Sequence, residues 1–315
     1  MYVISQYHLW RSIKPAQEAY ILPDMSDLLD KNEIRRLGVT VRGAVYSGLK
    51  CLQIASVQSP EAIITGTGKG CVSSIEKFQE DIITYKETAL NPSIFIQSTH
   101  NTVNGLIAIK CDSEVYNTAH VNYDQCIFNV LTDLETHFEQ GKVENGLIGF
   151  FDEYTPFDDV LYEAGGFNSS TMVTDDDKSI IWSSAINFFF IQKKYLPGAI
   201  SILSYELYRI TETAKIKEFI TSLSGTKNEV EYVCGDNNTY EWENFYLPLL
   251  PDGINSKVHH FKHKWGECAT STASGISEAM GKFQSESNSD SIQYQVVLNR
   301  VLDLSFEVVV LSRAD

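Results

Sequence analysis

The chain has 315 residues, of which 43% are hydrophobic and 21% are charged, and its formal net charge is −16. This composition is ordinary for a globular protein and argues against disorder, and the length is sufficient for one large domain or two fused halves. The acidic balance argues against a nucleic-acid groove, because phosphate binding needs clustered Lys and Arg, whereas only short pairs such as Arg35-Arg36 occur here.

The cysteines and the apolar runs indicate the cellular compartment of the protein. Its six cysteines are far apart and form no CxxC pair, which predicts reduced thiols in a cytosol. No uninterrupted apolar run approaches the ~20 residues that a membrane helix requires, and the first residues do not resemble a secretory leader. We therefore expect a soluble, cytoplasmic protein that does not associate with membranes.

Short apolar runs alternate with helical spacing along the first half of the chain, which is typical of an α/β fold. We predict a helix over 34–52, a strand over 61–64, a tight turn over 66–70, a helix over 71–85 and a strand over 106–109. Residues 117–121 predict a strand that leads directly into a buried helix over 127–138. A further strand over 146–151 ends at Asp152-Glu153.

The middle of the chain is polar and predicts a linker over 157–179. Beyond it we predict a hairpin of buried strands over 185–192 and 199–205, a helix over 214–223, a strand over 230–233 and a closing pair of strands over 296–312. The sequence thus predicts two α/β halves, 1–170 and 171–315, packed as one compact unit, although no internal sequence repeat is visible.

Several segments, in order, resemble motifs of the β-ketoacyl synthase family of condensing enzymes. Arg35-Arg36 resembles the family's R-R-M-S helix, 66–70 its G-x-G-x-G turn and 98–109 its N-x-x-A-G-x-I-A segment. Further along, 261–267 resembles the K-S-x-x-G-H motif, and Leu298-Asn299 resembles the N-x-F-G-F-G-G end. The strings QSTHNT (97–102), YNT (116–118) and FKHKWGE (261–267) resemble the short, chain-length-factor-like branch found beside aryl polyene and related pigment pathways. The resemblance implies a thiolase-like layered αβαβα fold of two related halves.

The resemblance also implies where catalytic groups would stand. Active members carry a cysteine on the turn between a strand and a buried helix, where the helix N-terminus lowers the thiol pKa, and two histidines in the second half. Here the place of the cysteine falls at Asp124, or at Gln125 if the register slips by one, and the places of the histidines fall at Gly235 or Asp236 and at Glu267. A glutamate at that last place would oppose binding of a malonyl carboxylate. Whether Gln125 stands in for the glutamine that some chain-length factors carry at the nucleophile position stays open.

Several of these residues also allow other interpretations. Asp124 is interpreted as a helix cap, worth about 1 kcal/mol. Cys126 is an alternative nucleophile, with His120 or His263 as its base, but free cysteines are usually buried, and we expect a structural role. The spacing of His259, His260, His263 and Cys268 matches no ordinary zinc ligand set, so we expect neither a metal nor another cofactor.

The functional hypothesis is a catalytically degenerate, chain-length-factor-like subunit of polyketide or fatty-acid-type polyene biosynthesis. It would pair with an active ketosynthase and meet an acyl carrier protein indirectly. One alternative is a stand-alone acyl-thioester transferase or hydrolase that uses Cys126 or a water activated by Asp124 or Glu267. Another is a homodimeric acyl-binding or scaffold protein.

The resemblance further implies a dimer, because in the family the strand before the nucleophile turn pairs with its counterpart across a two-fold axis. Here that extended segment is predicted at 115–123, and an uncovered strand edge invites aggregation. We expect an interface of well over ~2,000 Å². Its strand residues are Val115, Tyr116, Asn117, Thr118, Ala119, His120 and Val121.

Overall fold

The computed structural model describes residues 1–12, 22–86, 88–165, 180–223, 230–252, 257–285, 293–302 and 304–313. The first five strands are β1 (Tyr2–Ser12), β2 (Ala62–Thr67), β3 (Tyr116–Val121), β4 (Asn145–Asp152) and β5 (Ser183–Gln192). The helices between them are α1 (Lys31–Arg36), α2 (Val39–Ile54), α3 (Val72–Tyr85), α4 (Pro92–Gln97), α5 (Thr102–Lys110), α6 (Cys126–Glu139) and α7 (Pro156–Ala164).

The second group of elements also contains five strands. In chain order its elements are β6 (Ile200–Arg209), α8 (Thr213–Leu223), β7 (Val230–Cys234), α9 (Thr239–Glu241), β8 (Val258–His260), α10 (Lys262–Trp265), α11 (Ser271–Ser285), β9 (Tyr294–Val301) and β10 (Ser305–Arg313). Helix α9 continues into a π-helical turn (Trp242–Tyr246) and a 3₁₀ turn (Leu247–Leu249).

The strand order repeats itself. The ten strands follow the order β3-β2-β4-β5-β1-β6-β10-β9-β7-β8. Numbered from its own first strand, each group of five has the same order, third, second, fourth, fifth, first, and the two groups meet where β1 pairs with β6 at Tyr2 and Val3. The fold is therefore built of two topologically related halves. The predicted division at 170 and 171 falls outside the described residues and stays a prediction.

The helices divide the molecule into layers. Helices α6 and α11 contact strands of both groups, and their apolar residues share one core cluster with residues of both parts of the sheet, among them Ile64 and Val297. A second cluster joins α2 and α5 to the first group, and a third joins α8 and the π-helical turn to the second group. The observed fold is the predicted layered αβαβα arrangement. In the described part of the chain, no helix is long and apolar enough to cross a membrane.

Several predicted elements are confirmed, and several are wrong. The strand over 117–121, the helix over 127–138 and the closing pair of strands are confirmed as β3, α6 and β9 with β10. The predicted strand at 106–109 is wrong, because these residues form the end of helix α5. The predicted hairpin is also wrong, because β1, which the sequence did not indicate, lies between β5 and β6.

The predicted linker and the first long helix also need correction. Helix α7 occupies 156–164 of the predicted linker, whereas 166–179 lies outside the described residues. The helix predicted over 34–52 is divided into α1 and α2 at Leu37 and Gly38, where the amide of Gly38 donates to the side chain of Gln97.

Candidate functional site

The candidate site lies where the N-terminal ends of the two central helices meet the loop after β2. A Cβ atom at Gly68 in this loop would lie 2.2 Å from the Cβ of Ala269, just before α11, and 3.3 Å from the ring of Tyr123, just before α6. Only glycine allows this close approach without displacement of a neighbour. The G-x-G-x-G segment is therefore a structural turn, as the sequence analysis favoured.

Asp152, at the end of β4, holds this turn in place. Its Oδ1 accepts hydrogen bonds from the backbone amides of Gly68 (3.0 Å) and Lys69 (3.1 Å) and from the hydroxyl of Thr67 (3.1 Å). Burial raises the pKa of Asp152 although the nearby Lys69 charge and these donors act in the opposite direction. The sequence showed a carboxylate at the end of this strand but gave it no role.

The predicted place of the nucleophile is the tight turn between β3 and α6. The amide of Gln125 donates to the carbonyl oxygen of Asn122 (2.8 Å), so Asp124 lies inside a closed turn, and Gln125 is the N-cap because α6 begins at Cys126. No side chain caps α6, so the interpretation of Asp124 as a helix cap is wrong. Asp124 is half-buried, and its backbone oxygen accepts from Ser305 (3.3 Å), whereas Gln125 is exposed.

Cys126, the alternative nucleophile, is the first residue of α6 and is 1% exposed. Its Sγ lies 3.0 Å and 2.9 Å from the carbonyl oxygens of Thr67 and Asn122, which accept from a thiol but would repel a thiolate. Burial, with the neighbouring Asp152, raises the pKa of the Cys126 thiol well above its usual value. This environment favours the structural role.

Glu267, at the predicted place of the second histidine, is 1% exposed and belongs to a buried ion pair. The Nζ of Lys262, in the same motif, donates to its Oε2 and to the carbonyl oxygen of Arg300 (2.9 Å). The Glu267 carboxylate also accepts from Asn237 (3.0 Å) and Ser271 (3.1 Å). The ammonium group therefore compensates the charge that we expected to oppose a malonyl carboxylate, and the carboxylate is engaged by donors on both of its oxygens.

The loop after β7 carries the predicted place of the first histidine. Gly235 has room for no side chain, since a Cβ atom there would lie 2.3 Å from Oδ1 of Asn299. Asp236 is turned toward His260 and His263, and Asn237 is the residue of this loop that reaches Glu267. The sequence placed the loop correctly relative to β7 but did not indicate the role of Asn237.

A second buried carboxylate, Glu307 on β10, lies near this network. It accepts from the hydroxyl of Thr272, and Asn299 donates to the same hydroxyl oxygen (2.7 Å). Burial raises the pKa of Glu307 to about 8, and the negative charge of Asp124 contributes to the rise. Sequence reasoning missed Glu307, although a single charge in the apolar run of β10 was a usable signal.

The structure thus brings the predicted site residues together at the N-terminal ends of α6 and α11, next to the loops that follow β2 and β7. A scan against protein-family models and a search of the curated proteins found no match. Solved structures do match over nearly the whole chain.

The ishigamide ketosynthase/chain length factor matches 100% of this chain and 99% of its own, with a TM-score of 0.78 and 13% identity. A type II polyketide synthase acyl-carrier protein in complex with its ketosynthase matches 99% and 98%, with a TM-score of 0.75 and 10% identity. The 3-oxoacyl-[acyl-carrier-protein] synthase III of Aquifex aeolicus VF5 matches 99% and 99%, with a TM-score of 0.61 and 11% identity. The chain therefore has the thiolase-like layered fold. In particular, it has the fold of the ketosynthases and their chain length factors.

Proposed function

We propose that the protein is a non-condensing, chain-length-factor-like subunit that pairs with an active ketosynthase. The observation that carries the proposal is the state of Glu267, whose carboxylate is buried and bound by Lys262, Asn237 and Ser271. A group bound in this way does not polarise a thioester or assist decarboxylation. This arrangement supports a subunit that keeps the scaffold of a ketosynthase but has an internal polar network at the position that we assign to the family's second histidine.

The edge of the sheet supports a partner. Strand β3 pairs only with β2, so its other edge meets no strand in the described part of the chain, and none of its residues is buried. Neighbouring apolar side chains are exposed as well, Ile109 by 76%, Ile96 by 58% and Val121 by 37%. A strand edge flanked by apolar surface is suited to pairing with another chain.

An apolar groove of about 450 Å³ lies between α4 and α5. It is lined by Leu37, Ile96, Leu106 and Ile109 among others, and α5 is tied to β3 through Asn104, which donates to the carbonyl oxygen of Thr118 (2.5 Å). Helix α5 thus contacts β3 through the buried Asn104 and lines the groove with other residues, among them Leu106 and Ile109. We propose that a ketosynthase subunit covers the edge of β3, with residues 115–121 in the interface, as in the predicted dimer.

The finer assignments follow from this proposal. The substrate class would be acyl chains held on an acyl carrier protein that meets the pair, in polyketide or fatty-acid-type polyene biosynthesis such as that of aryl polyenes. A cytoplasmic location is supported by the six cysteines, which are all free and buried.

The experiment compares this protein alone, a ketosynthase alone and the pair, each incubated with acyl and malonyl carrier proteins. We expect mass spectrometry to find no β-ketoacyl product with this protein alone and to find longer or more uniform products with the pair than with the ketosynthase alone. Cys126→Ala should leave the activity of the pair unchanged. Condensation by the isolated protein that disappears in Cys126→Ala would overturn the proposal in favour of the displaced nucleophile.

The second candidate, a stand-alone acyl transferase or thioester hydrolase, is addressed by the same samples. The buried environment of Cys126 and the hydrogen bonds of Glu267 both argue against this activity. A stand-alone enzyme would release free acid or transfer the acyl group when the isolated chain is incubated with acyl thioesters. A homodimeric scaffold, the third candidate, predicts neither turnover nor an effect on the ketosynthase.

A further inference from the structure

Asp236, His260 and His263 form a compact cluster at the carboxyl ends of β7 and β8. The strands are parallel neighbours in which Cys234 pairs with His260, so the residues that follow them meet at one edge of the sheet. Nδ1 of His260 lies 2.8 Å from Oδ1 of Asp236, and Nε2 of His263 lies 3.1 Å from Oδ2. All three potential ligand atoms lie within 4.8 Å of one another.

The buried carboxylate of Asp236 faces the two imidazoles, one through each oxygen, and one of these contacts is not a well-formed hydrogen bond. Its side chain is 0% exposed, and in the described residues its Oδ2 has no hydrogen bond of good geometry. A buried carboxylate is costly unless it is paired and hydrogen-bonded or coordinates a metal. The close neighbour of the second oxygen is Nε2 of His263, at 3.1 Å but without good hydrogen-bond geometry, and a cation between the carboxylate and the two rings would bind both groups.

The ring geometry suits a cation in that position. The imidazoles of His260 and His263 are nearly parallel, at 13°, with centroids 5.1 Å apart, and each presents a nitrogen to the same carboxylate. Zinc–nitrogen and zinc–oxygen bonds of about 2.0–2.2 Å separate tetrahedral ligands by about 3.3 Å, which is close to the two observed nitrogen–oxygen distances. Trp242, whose ring meets that of His260 edge to face at 4.8 Å, holds the imidazole orientation.

We propose that Asp236, His260 and His263 bind a divalent transition-metal ion, with Zn²⁺ as the representative. Two imidazoles and one carboxylate favour Zn²⁺ and its neighbours over Ca²⁺ and Mg²⁺, which require mainly oxygen ligands. The histidine side chains are 34% and 39% exposed, so the ion reaches the cluster from solvent and keeps a position for water. The proposal revises the sequence-based expectation of no metal and is independent of the proposed pairing with a ketosynthase.

The sequence could not reveal this ligand set. The histidines weighed there were grouped with Cys268, which is buried near Thr270, and with His259, which lies on the other face of β8 with its Nε2 3.6 Å from Glu231. The carboxylate that completes the cluster stands 24 residues before His260. Only the pairing of β7 with β8 brings it there.

The test uses the full chain, expressed without a polyhistidine tag, treated with a chelator and dialysed. Titration with Zn²⁺ by calorimetry should show one ion per chain, and Co²⁺ should produce ligand-field absorption bands that Zn²⁺ abolishes. We expect His263→Gln and Asp236→Asn each to weaken Zn²⁺ binding by about 10-fold or more. His259→Gln, the matched control on the neighbouring residue, should bind as the unchanged protein does.

Circular dichroism of each variant establishes that it is folded. If Asp236→Asn does not fold, His263→Gln decides the question, because that side chain is exposed and its loss leaves the core intact. Absence of stoichiometric Zn²⁺ binding by the unchanged protein would overturn the proposal. Equal loss of binding in His259→Gln and His263→Gln would overturn it as well.

Discussion

Glu307 is a buried carboxyl group close to three other ionisable side chains, Asp124, Lys262 and Glu267. Its pKa is raised from the usual 4.5 to about 8, mainly by burial. The folded protein therefore binds this proton more tightly than the unfolded chain does. The stabilising contribution is complete below pH 4.5, declines as the pH rises toward 8 and is lost above that value.

Glu307→Gln should remove this pH dependence, because glutamine keeps an oxygen acceptor for Thr272 but does not ionise. In urea denaturation we expect the variant and the unchanged protein to differ little at pH 5. At pH 8.5 the variant should be the more stable, by at least about 1 kcal/mol, since one unit of pKa difference corresponds to about 1.4 kcal/mol. The exposed Glu206 supplies the control, and Glu206→Gln should show no such difference. An equal effect of Glu307→Gln at both pH values would contradict the assignment.

Asp124 precedes the N-cap of α6 and makes no capping hydrogen bond. Because its side chain is only half-buried and makes no hydrogen bond to the helix, we expect Asp124→Ala and Asp124→Asn to change the free energy of unfolding by less than about 0.5 kcal/mol each. Chemical denaturation at pH 7 measures both. A loss of about 1 kcal/mol in the alanine variant alone would show that this carboxylate does cap the helix in solution.

Motifs in the sequence located some site residues but not their partners. Lys262 and Glu267 stand in one motif, yet nothing in the sequence shows that a four-residue helix brings them into an ion pair. Likewise, the loop after β7 could be placed, but which of Asp236 and Asn237 faces Glu267 depends on the path of the loop. Side-chain direction in irregular segments is set by tertiary contacts, and no local periodicity records it.

At the scale of elements, a strong apolar periodicity was sufficient to predict a helix, whereas a short apolar run was not sufficient to distinguish a strand from a helix. Helix α6 was predicted because its apolar residues repeat on one face over many residues. The run at 106–109 is too short to distinguish a strand from a buried helix, and it proved to be the end of α5. The sequence did not indicate strand β1 because Ser5, Gln6 and His8 interrupt its apolar pattern, and its pairing with β5 is a contact between distant parts of the chain.

The exposed edge of β3 gives a prediction about association. Val121→Glu places a charge on a side chain that is 37% exposed beside this edge, and we expect the affinity for the ketosynthase to fall by about 10-fold or more, because an unpaired charge in an interface is costly. Leu247→Glu is the matched control, since Leu247 is 41% exposed and belongs to the 3₁₀ turn of the second half, not to β3. Surface plasmon resonance against the immobilised ketosynthase compares the two variants. Similar affinities for both would place the interface elsewhere.

Thr118→Pro examines the same strand through its backbone. Proline is tolerated at an uncovered strand edge, so we expect the variant to fold. Because proline removes one backbone N–H that could pair with another strand, we also expect weaker association with the ketosynthase, as for Val121→Glu. A variant that stays folded by circular dichroism and binds the ketosynthase normally would argue against strand pairing at β3.

At the scale of the whole molecule, the two halves share a strand order that the sequence does not display as a repeat. This is understandable, because a layered core requires only apolar residues of suitable volume at the right period, and many sequences meet that requirement. The resemblance of ordered motifs predicted the fold, and the structure agrees. The candidate site is visible only in three dimensions, because the N-terminal ends of one helix from each half lie next to each other there.

The proposed function requires that this chain form a complex with an active ketosynthase. The two proteins, co-expressed and purified through a tag on the ketosynthase alone, should elute together in size-exclusion chromatography, and light scattering should give the mass of a complex with equal numbers of the two chains. An interface of this kind should bury well over about 2,000 Å² and survive dilution. A monomer of this protein that elutes apart from the ketosynthase would contradict the account.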